Sequence, residues 1–355
     1  MFNCRKFHIF KNLCESFTMK IISLFAFIFI MFLSVANAQW IPQTVDTKAS
    51  FRGLSVVNQN VIWASGTGGT FVRTIDGGKN WTVGKVPDAE KLDFRDIEAF
   101  DENTAFLLSI GNGETSRIYK TIDGGKTWKM QFKANNEKIF LDAFAFFDEK
   151  RGIAMGDPVD GYYYLLQTND GGENWFAVGN EKMFPAKTGE AAFAASGTCI
   201  ITQGKKNVFL VSGGKSARVF RSNFGGYAWL VSDSPIAGGA DSQGIFSIAM
   251  FDAKRGVIVG GDYAKPTEVV ANLAFTSDGG KTWTESKGFA GFRSGVAYLD
   301  KKTIIAVGSS GSDISKDGGK TWTNLDQESY NAVQSKGKKA IWAVGEKGLM
   351  LQLLK

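Results

Sequence analysis

Thr276-Ser277-Asp278-Gly279-Gly280-Lys281-Thr282-Trp283 is an octapeptide that the chain writes again and again. Five more copies occupy residues 74–81, 121–128, 168–175, 222–229 and 315–322. Their tryptophans lie 47, 47, 54, 54 and 39 residues apart, a period that marks a propeller or another repeat array. Each copy has the chemistry of a turn between antiparallel strands. The carboxylates of Asp76, Asp123, Asp170, Asp278 and Asp317 can accept N–H groups inside the loop, and glycine supplies the positive φ the turn needs. The leading Thr or Ser closes the loop with its hydroxyl, and the tryptophan drops between neighbouring sheets. Repeated turn chemistry accounts for these aspartates without any catalytic role. The fourth copy has Phe224 in place of Asp, so its hairpin is expected to rely on Asn223 and on packing.

Upstream of each copy lie short β-rich runs separated by turn residues, for example 51–57, 61–65 and 70–74, then 94–100, 104–109 and 116–121. No stretch holds a helical period, so the chain reads as all-β. After the sixth copy, 330–333, 340–344 and 349–353 give three more strands with no fourth. An orphan strand, 39–45, stands at the other end, with Trp40 where the repeats carry their tryptophan. Pairing it with 349–353 closes a ring and removes the exposed edges of a linear array. The expectation is a seven-bladed β-propeller of four-stranded blades over 39–355.

Residues 1–38 read as a signal peptide with an N-terminal extension. Lys20 precedes an apolar run over 21–35, and Ala36-Asn37-Ala38 offers small residues for cleavage before Gln39. The expected address is the periplasm or the outside of the cell. Cys4, Cys14 and the one histidine, His8, leave with that leader. What remains holds one cysteine, Cys199, in an apolar run that reads as buried filler. Ser-His-Asp and Cys-His catalysis and histidine metal sites are excluded, and no cofactor or metal is expected. No dinucleotide fingerprint, haem-attachment motif or cysteine pair supports redox chemistry. The net charge of +6 falls to +3 without the leader, and no basic run suggests nucleic acid or a membrane surface. A monomer without a stable membrane span is expected.

In a propeller, the loops at one face of the inner strands usually form the binding surface. Arg52, Arg95 and Arg293 each follow a phenylalanine at the start of an inner strand, and Asp142, Glu190 and Gln243 hold the matching place in other blades. The turn after the second strand supplies Thr67, Asn112, Asp157, Asp262, Ser309 and Glu346. Arg52, Arg95, Asp142, Asp157, Glu190, Asp262 and Arg293 are therefore the candidate binding face, where arginines can hold a carboxylate or phosphate bidentately; mutual pairing of these charges is the alternative. Two stretches, 156–164 and 261–266, read as longer loops able to collect binding residues, with Tyr162, Tyr163 and Tyr263 either stacking on a ligand or serving as strand residues.

The octapeptide resembles the Asp box of the bacterial neuraminidase repeat. With inner strands such as 304–308 and 341–345, the chain resembles the photosystem II stability/assembly factor family of propellers over nearly its whole mature length. That resemblance implies an assembly or docking protein with an arginine patch on the ring, for which Arg52, Arg95 and Arg293 are the candidates. The partner is then an exported protein, with carbohydrate as the other choice. The rival is a sialidase-like glycoside hydrolase, since those enzymes share the Asp box. It would use Arg52, Arg95 and Arg293 as a carboxylate clamp, Asp157 or Asp262 as the acid, and Glu190 with a nearby tyrosine as nucleophile pair. Sialidases usually have six blades, and Phe51-Arg52-Gly53-Leu54 lacks the Ile-Pro that follows their Phe/Tyr-Arg. A binding module is the preferred reading over an enzyme.

Overall fold

The structure is a computed structural model that describes residues 39–179, 183–288 and 291–354. The leader expected over 1–38 lies outside them. Among the described residues no helix is long and apolar enough to cross a membrane.

Seven antiparallel blades of four strands account for nearly all regular structure. Blade 1 runs Phe51–Val56, Ile62–Gly66, Thr70–Thr74 and Thr82–Lys85, and blades 2 to 6 repeat that order from Phe94, Leu141, Ile200, Gln243 and Gly295. Blade 7 takes Ala332–Ser335, Ile341–Val344 and Met350–Leu354 from the end of the chain and Gln39–Pro42 from its beginning. Second strands such as Ile62–Gly66, Ala105–Ser109 and Ile304–Gly308 are buried along their whole length. A blade packs against a neighbour on each side, so these strands read as continuous apolar runs rather than alternating ones.

The hairpins behave as their chemistry dictates. In the first, Thr74 Oγ1 donates to Asp76 Oδ1 (2.8 Å), Asn80 N donates to the same oxygen (2.9 Å), and Asn80 Nδ2 reaches Asp76 Oδ2 (2.7 Å). Gly78 sits at φ +91°, and a Cβ there would lie 2.6 Å from the Trp342 ring. The following tryptophan leans on the preceding blade: Trp81 meets Trp342 edge-on at 5.7 Å, and Trp128 meets Trp63 and Phe71 of blade 1. Trp40 occupies the same place in blade 7, its ring tilted against Tyr330 at 5.6 Å and its Nε1 donating to Ser312 Oγ of blade 6 (3.2 Å). Trp63 and Trp342 are fully buried, each worth roughly 4–6 kcal/mol of transfer free energy. In the fourth hairpin the closing group is Ser222 rather than the expected Asn223: its Oγ accepts from Phe224 N (3.2 Å) and Gly226 N (3.0 Å), while Phe224 lies exposed.

These turns make the fold acid-sensitive. Hydrogen bonds from Asn80 hold Asp76 at about 2, and those from Thr127 do the same for Asp123. For Asp278, burial pushes upward but is outweighed by Thr282 and Thr276, again giving about 2. A carboxylate whose folded value lies below the roughly 3.9 of an unfolded chain contributes stability that is full above that value and lost as pH falls towards 2. The buried Asp96 and Asp142, pushed up by desolvation, work in the opposite direction, but only at higher pH, where the unfolded chain has ionised. The melting temperature is therefore expected to fall steeply between about pH 4 and 2, and Asp123→Asn should flatten part of that slope. A melting curve unchanged from pH 5 to 2.5 would refute this.

Candidate functional site

At the mouth of the ring the inner strands share one irregularity. The pairing of first and second strands skips one residue between Phe51 and Gly53, Phe94 and Asp96, Leu141 and Ala143, and Ile245 and Ser247. A bulge leaves its extra residue out of the ladder and re-aims its side chain. The skipped residues are Arg52, Arg95, Asp142 and Phe246, and all four line one cavity of about 460 Å³. Gly66 allows the tight crossing in blade 1, where a Cβ would lie 2.1 Å from the Ser50 carbonyl oxygen. Asp157, Ser309 and Glu346, from the turns after second strands, line the same cavity, as do Tyr263, Phe292 and Tyr330.

The floor of this cup comes from a segment that the sequence pattern did not reveal. Residues 192–198 precede the first strand of blade 4 and bond to five other blades. Ala192 N donates to Asp157 Oδ1 (2.9 Å), Arg95 Nη1 to Ala194 O (3.2 Å) and Arg52 Nη1 to Ala195 O (3.2 Å). Ser196 Oγ donates to Ser294 O of blade 6 (2.7 Å), and Thr198 Oγ1 shares a hydrogen bond with Ser247 Oγ of blade 5 (2.6 Å). A strap tied to blades 1, 2, 3, 5 and 6 lies across the axis of the ring. Phe193 stacks on Phe246 with centroids 3.9 Å apart, and Tyr263 and Phe292 stand edge-on to that pair. Beneath it the buried Asp96 accepts Ile97 N and Phe144 N, both at 2.8 Å, and so ties blade 2 to blade 3.

The charges expected at the mouth divide into two groups. Arg52, Arg95, Asp142 and Asp157 line the cup. Glu190, Asp262 and Arg293 are not among its lining residues. Arg293 is fully buried and donates to Asp313 Oδ2 (2.6 Å), Phe292 O and Ser310 Oγ. Glu190 is fully buried against Arg218 and accepts from Ser212 Oγ (2.5 Å) and Lys187 N (2.8 Å). Asp262 accepts from Ala264 N (2.9 Å) and Gln243 Nε2 (3.4 Å). Pairing with Asp313 and with Arg218 has drawn Arg293 and Glu190 into the fold, so the three-arginine clamp and the Glu190 nucleophile of the glycosidase reading do not assemble. Gln243 is also displaced: the blade 5 bulge puts Phe246, three residues later, at the position of Arg52. The stretch 156–164 is not a loop but a continued hairpin, Gly152–Val159 with Tyr162–Thr168, turned at Asp160 (φ 52°) and Gly161 (φ 89°). Tyr163 is buried in it, whereas Tyr263 reaches the cup. Cys199 is buried, which pushes its thiol well above the ordinary range.

The electrostatics of the cup are uneven. Burial, then the charge of Arg95, pull Arg52 below its ordinary value, while Asp93 and Glu346 pull it back. Arg95 is paired with Asp93 (2.8 Å). Burial pushes Asp142 well up, Asp157 adds to this, and Arg95 opposes it. Burial likewise raises Asp157, against the hydrogen bond from Ala192.

No protein-family model and no curated relative matches the chain. Among solved structures it is similar to a structure described as YCF48 bound to D1 peptide, at TM-score 0.65 and 18% identity over 89% of this chain and 97% of that one. YCF48 from Cyanidioschyzon merolae matches at 0.63 and 18%, over 88% and 98%. The GH74 enzyme of Niastella koreensis matches at 0.59 and 15%, this chain spanning 53% of it. At such identities the likeness is one of fold.

Proposed function

We propose that the protein is an exported docking factor whose central cup holds a segment of a partner protein, and that its octapeptides are Asp boxes of the photosystem II assembly factor type. The observation that carries this is the cup itself: two arginines pre-aligned by the carbonyls of Ala194 and Ala195, beside an aromatic wall of Phe193, Phe246, Tyr263 and Phe292. Pre-ordered guanidinium groups lose little entropy on binding, and buried aromatic anchors dominate interface energetics. The YCF48 neighbour with its D1 peptide supports the same reading.

The test is a crosslinked pull-down of exported proteins with the 39–355 chain. Arg52→Glu with Arg95→Glu should cut capture of the specific partner at least tenfold, while Lys281→Glu on an outer hairpin should leave it intact. Capture indifferent to the double charge reversal would overturn the reading, as would release of fluorophore from an aryl glycoside panel that Arg52→Ala abolishes. Export is tested by fractionation, with the chain expected outside the cytoplasm and beginning at Gln39.

A further inference from the structure

Within that docking reading, we infer that Asp142 and Asp157 form a subsite for a cation, the ammonium or guanidinium of a Lys or Arg side chain on the docked segment. The two carboxyl groups come from paired strands of blade 3 and line the same wall of the cup. Asp142 is only 1% exposed, and its Oδ2 has no hydrogen-bond partner. Asp157 receives Ala192 N on Oδ1. Neither takes part in an ion pair among the described residues, whereas Glu190 and Asp313, buried just as deeply, each hold an arginine. Burying a carboxyl oxygen without a partner costs stability, and Asp142 Oδ2 gains no hydrogen bond in return.

The surrounding groups do not remove the deficit. Among the described residues the cation whose charge acts on Asp142 is Arg95, and its guanidinium is committed to Asp93 and to the Ala194 carbonyl. Among the described residues, Tyr163 and Cys199 also feel the charge of the pair, and neither carries a positive charge. An entering cation would find the missing charge at the pair and the aromatic faces of Phe246, Tyr263 and Phe292 nearby, the combination that favours ammonium and guanidinium groups once they leave water. The cavity of about 460 Å³ is large enough for one long side chain and the residues flanking it. Burial favours the protonated form of both carboxyl groups and an incoming cation favours the ionised form, so binding should be accompanied by proton release to the buffer.

The experiment uses fluorescently labelled 39–355 chain on an array of heptapeptides. Each carries two aromatic residues flanking a central arginine, lysine, citrulline or norleucine. Arginine and lysine spots should bind at least tenfold more strongly than citrulline and norleucine spots. Asp157→Asn and Asp142→Asn should each shrink that preference to about twofold or less. Calorimetry with the arginine peptide in two buffers of different ionisation enthalpy should show proton release that the Asp142→Asn protein lacks. Since Asp142 has no folding partner, Asp142→Asn should melt at or above the parent temperature; a clear loss would mark it as structural and overturn the assignment. Equal binding of citrulline and arginine peptides would also overturn it, as would a preference that survives both Asn variants or an array with no binding. Calcium or magnesium raising the melting temperature in an Asp142-dependent way would give the pair to a metal instead. If the array fails while partner capture still depends on Arg52 and Arg95, the cation subsite falls and the docking reading stands.

Discussion

Arg293→Met is expected to destabilise the propeller by about 3–5 kcal/mol, because it leaves Asp313 buried without its cation. Both side chains are fully buried, and the remaining neighbour of the carboxylate, Asn324 Nδ2 at 3.3 Å, is a weak donor. Burial already pushes Asp313 up, against Arg293 which holds it down, so removing the arginine leaves a carboxylate that must take a proton or draw in water. The double variant Arg293→Met/Asp313→Leu should recover to within about 1 kcal/mol of the parent, since a buried pair is roughly neutral against apolar residues of similar size. Arg52→Met, which removes a cup residue instead, should stay within about 1 kcal/mol. Denaturant midpoints of the three proteins decide this. A parent-like midpoint for Arg293→Met would return that arginine to the list of binding residues.

Removal of the closing strand is the second large effect. A chain beginning at Asp46 lacks Gln39–Pro42, the outer strand of blade 7, and with it Trp40, its ring contact with Tyr330 and its bond to Ser312 of blade 6. Met350–Leu354 then becomes an exposed edge, and the carbonyl of Met350 loses its bond from Gln43 N. The melting temperature should drop by roughly 10 °C or more relative to a chain beginning at Gln39. A tendency to self-associate should appear in sedimentation, since a free edge recruits other strands. A change of less than 2 °C would mean that the ring closes without its first strand.

The fold was legible in the sequence because it rests on local chemistry. Each octapeptide carries its own glycines and tryptophan, and five of the six their own turn aspartate, and Trp40 could be matched to the others before any contact was known. The cup was legible only in part, because its charges are sorted by tertiary partners. Arg52, Arg95 and Arg293 all follow a phenylalanine and look alike locally. The difference lies twenty residues downstream, where Asp313 stands inside the wholly buried strand Gly311–Ser315. An aspartate in such a strand is a candidate partner for a nearby arginine, although Asp142, in the equally buried strand Leu141–Phe146, shows that burial alone does not supply one. Glu190 was misplaced for the same reason, its partner Arg218 belonging to a later strand. The shift from Gln243 to Phe246 follows from where the bulge falls, and the glycine pattern at the ends of second strands marks it. The strap over 192–198 has neither alternation nor charge, so nothing in its composition distinguishes it from an ordinary connection.

That strap links the two arginines of the cup mechanically. Its backbone carbonyls hold Arg52 and Arg95 side by side, so any change in its course would move both guanidinium groups together.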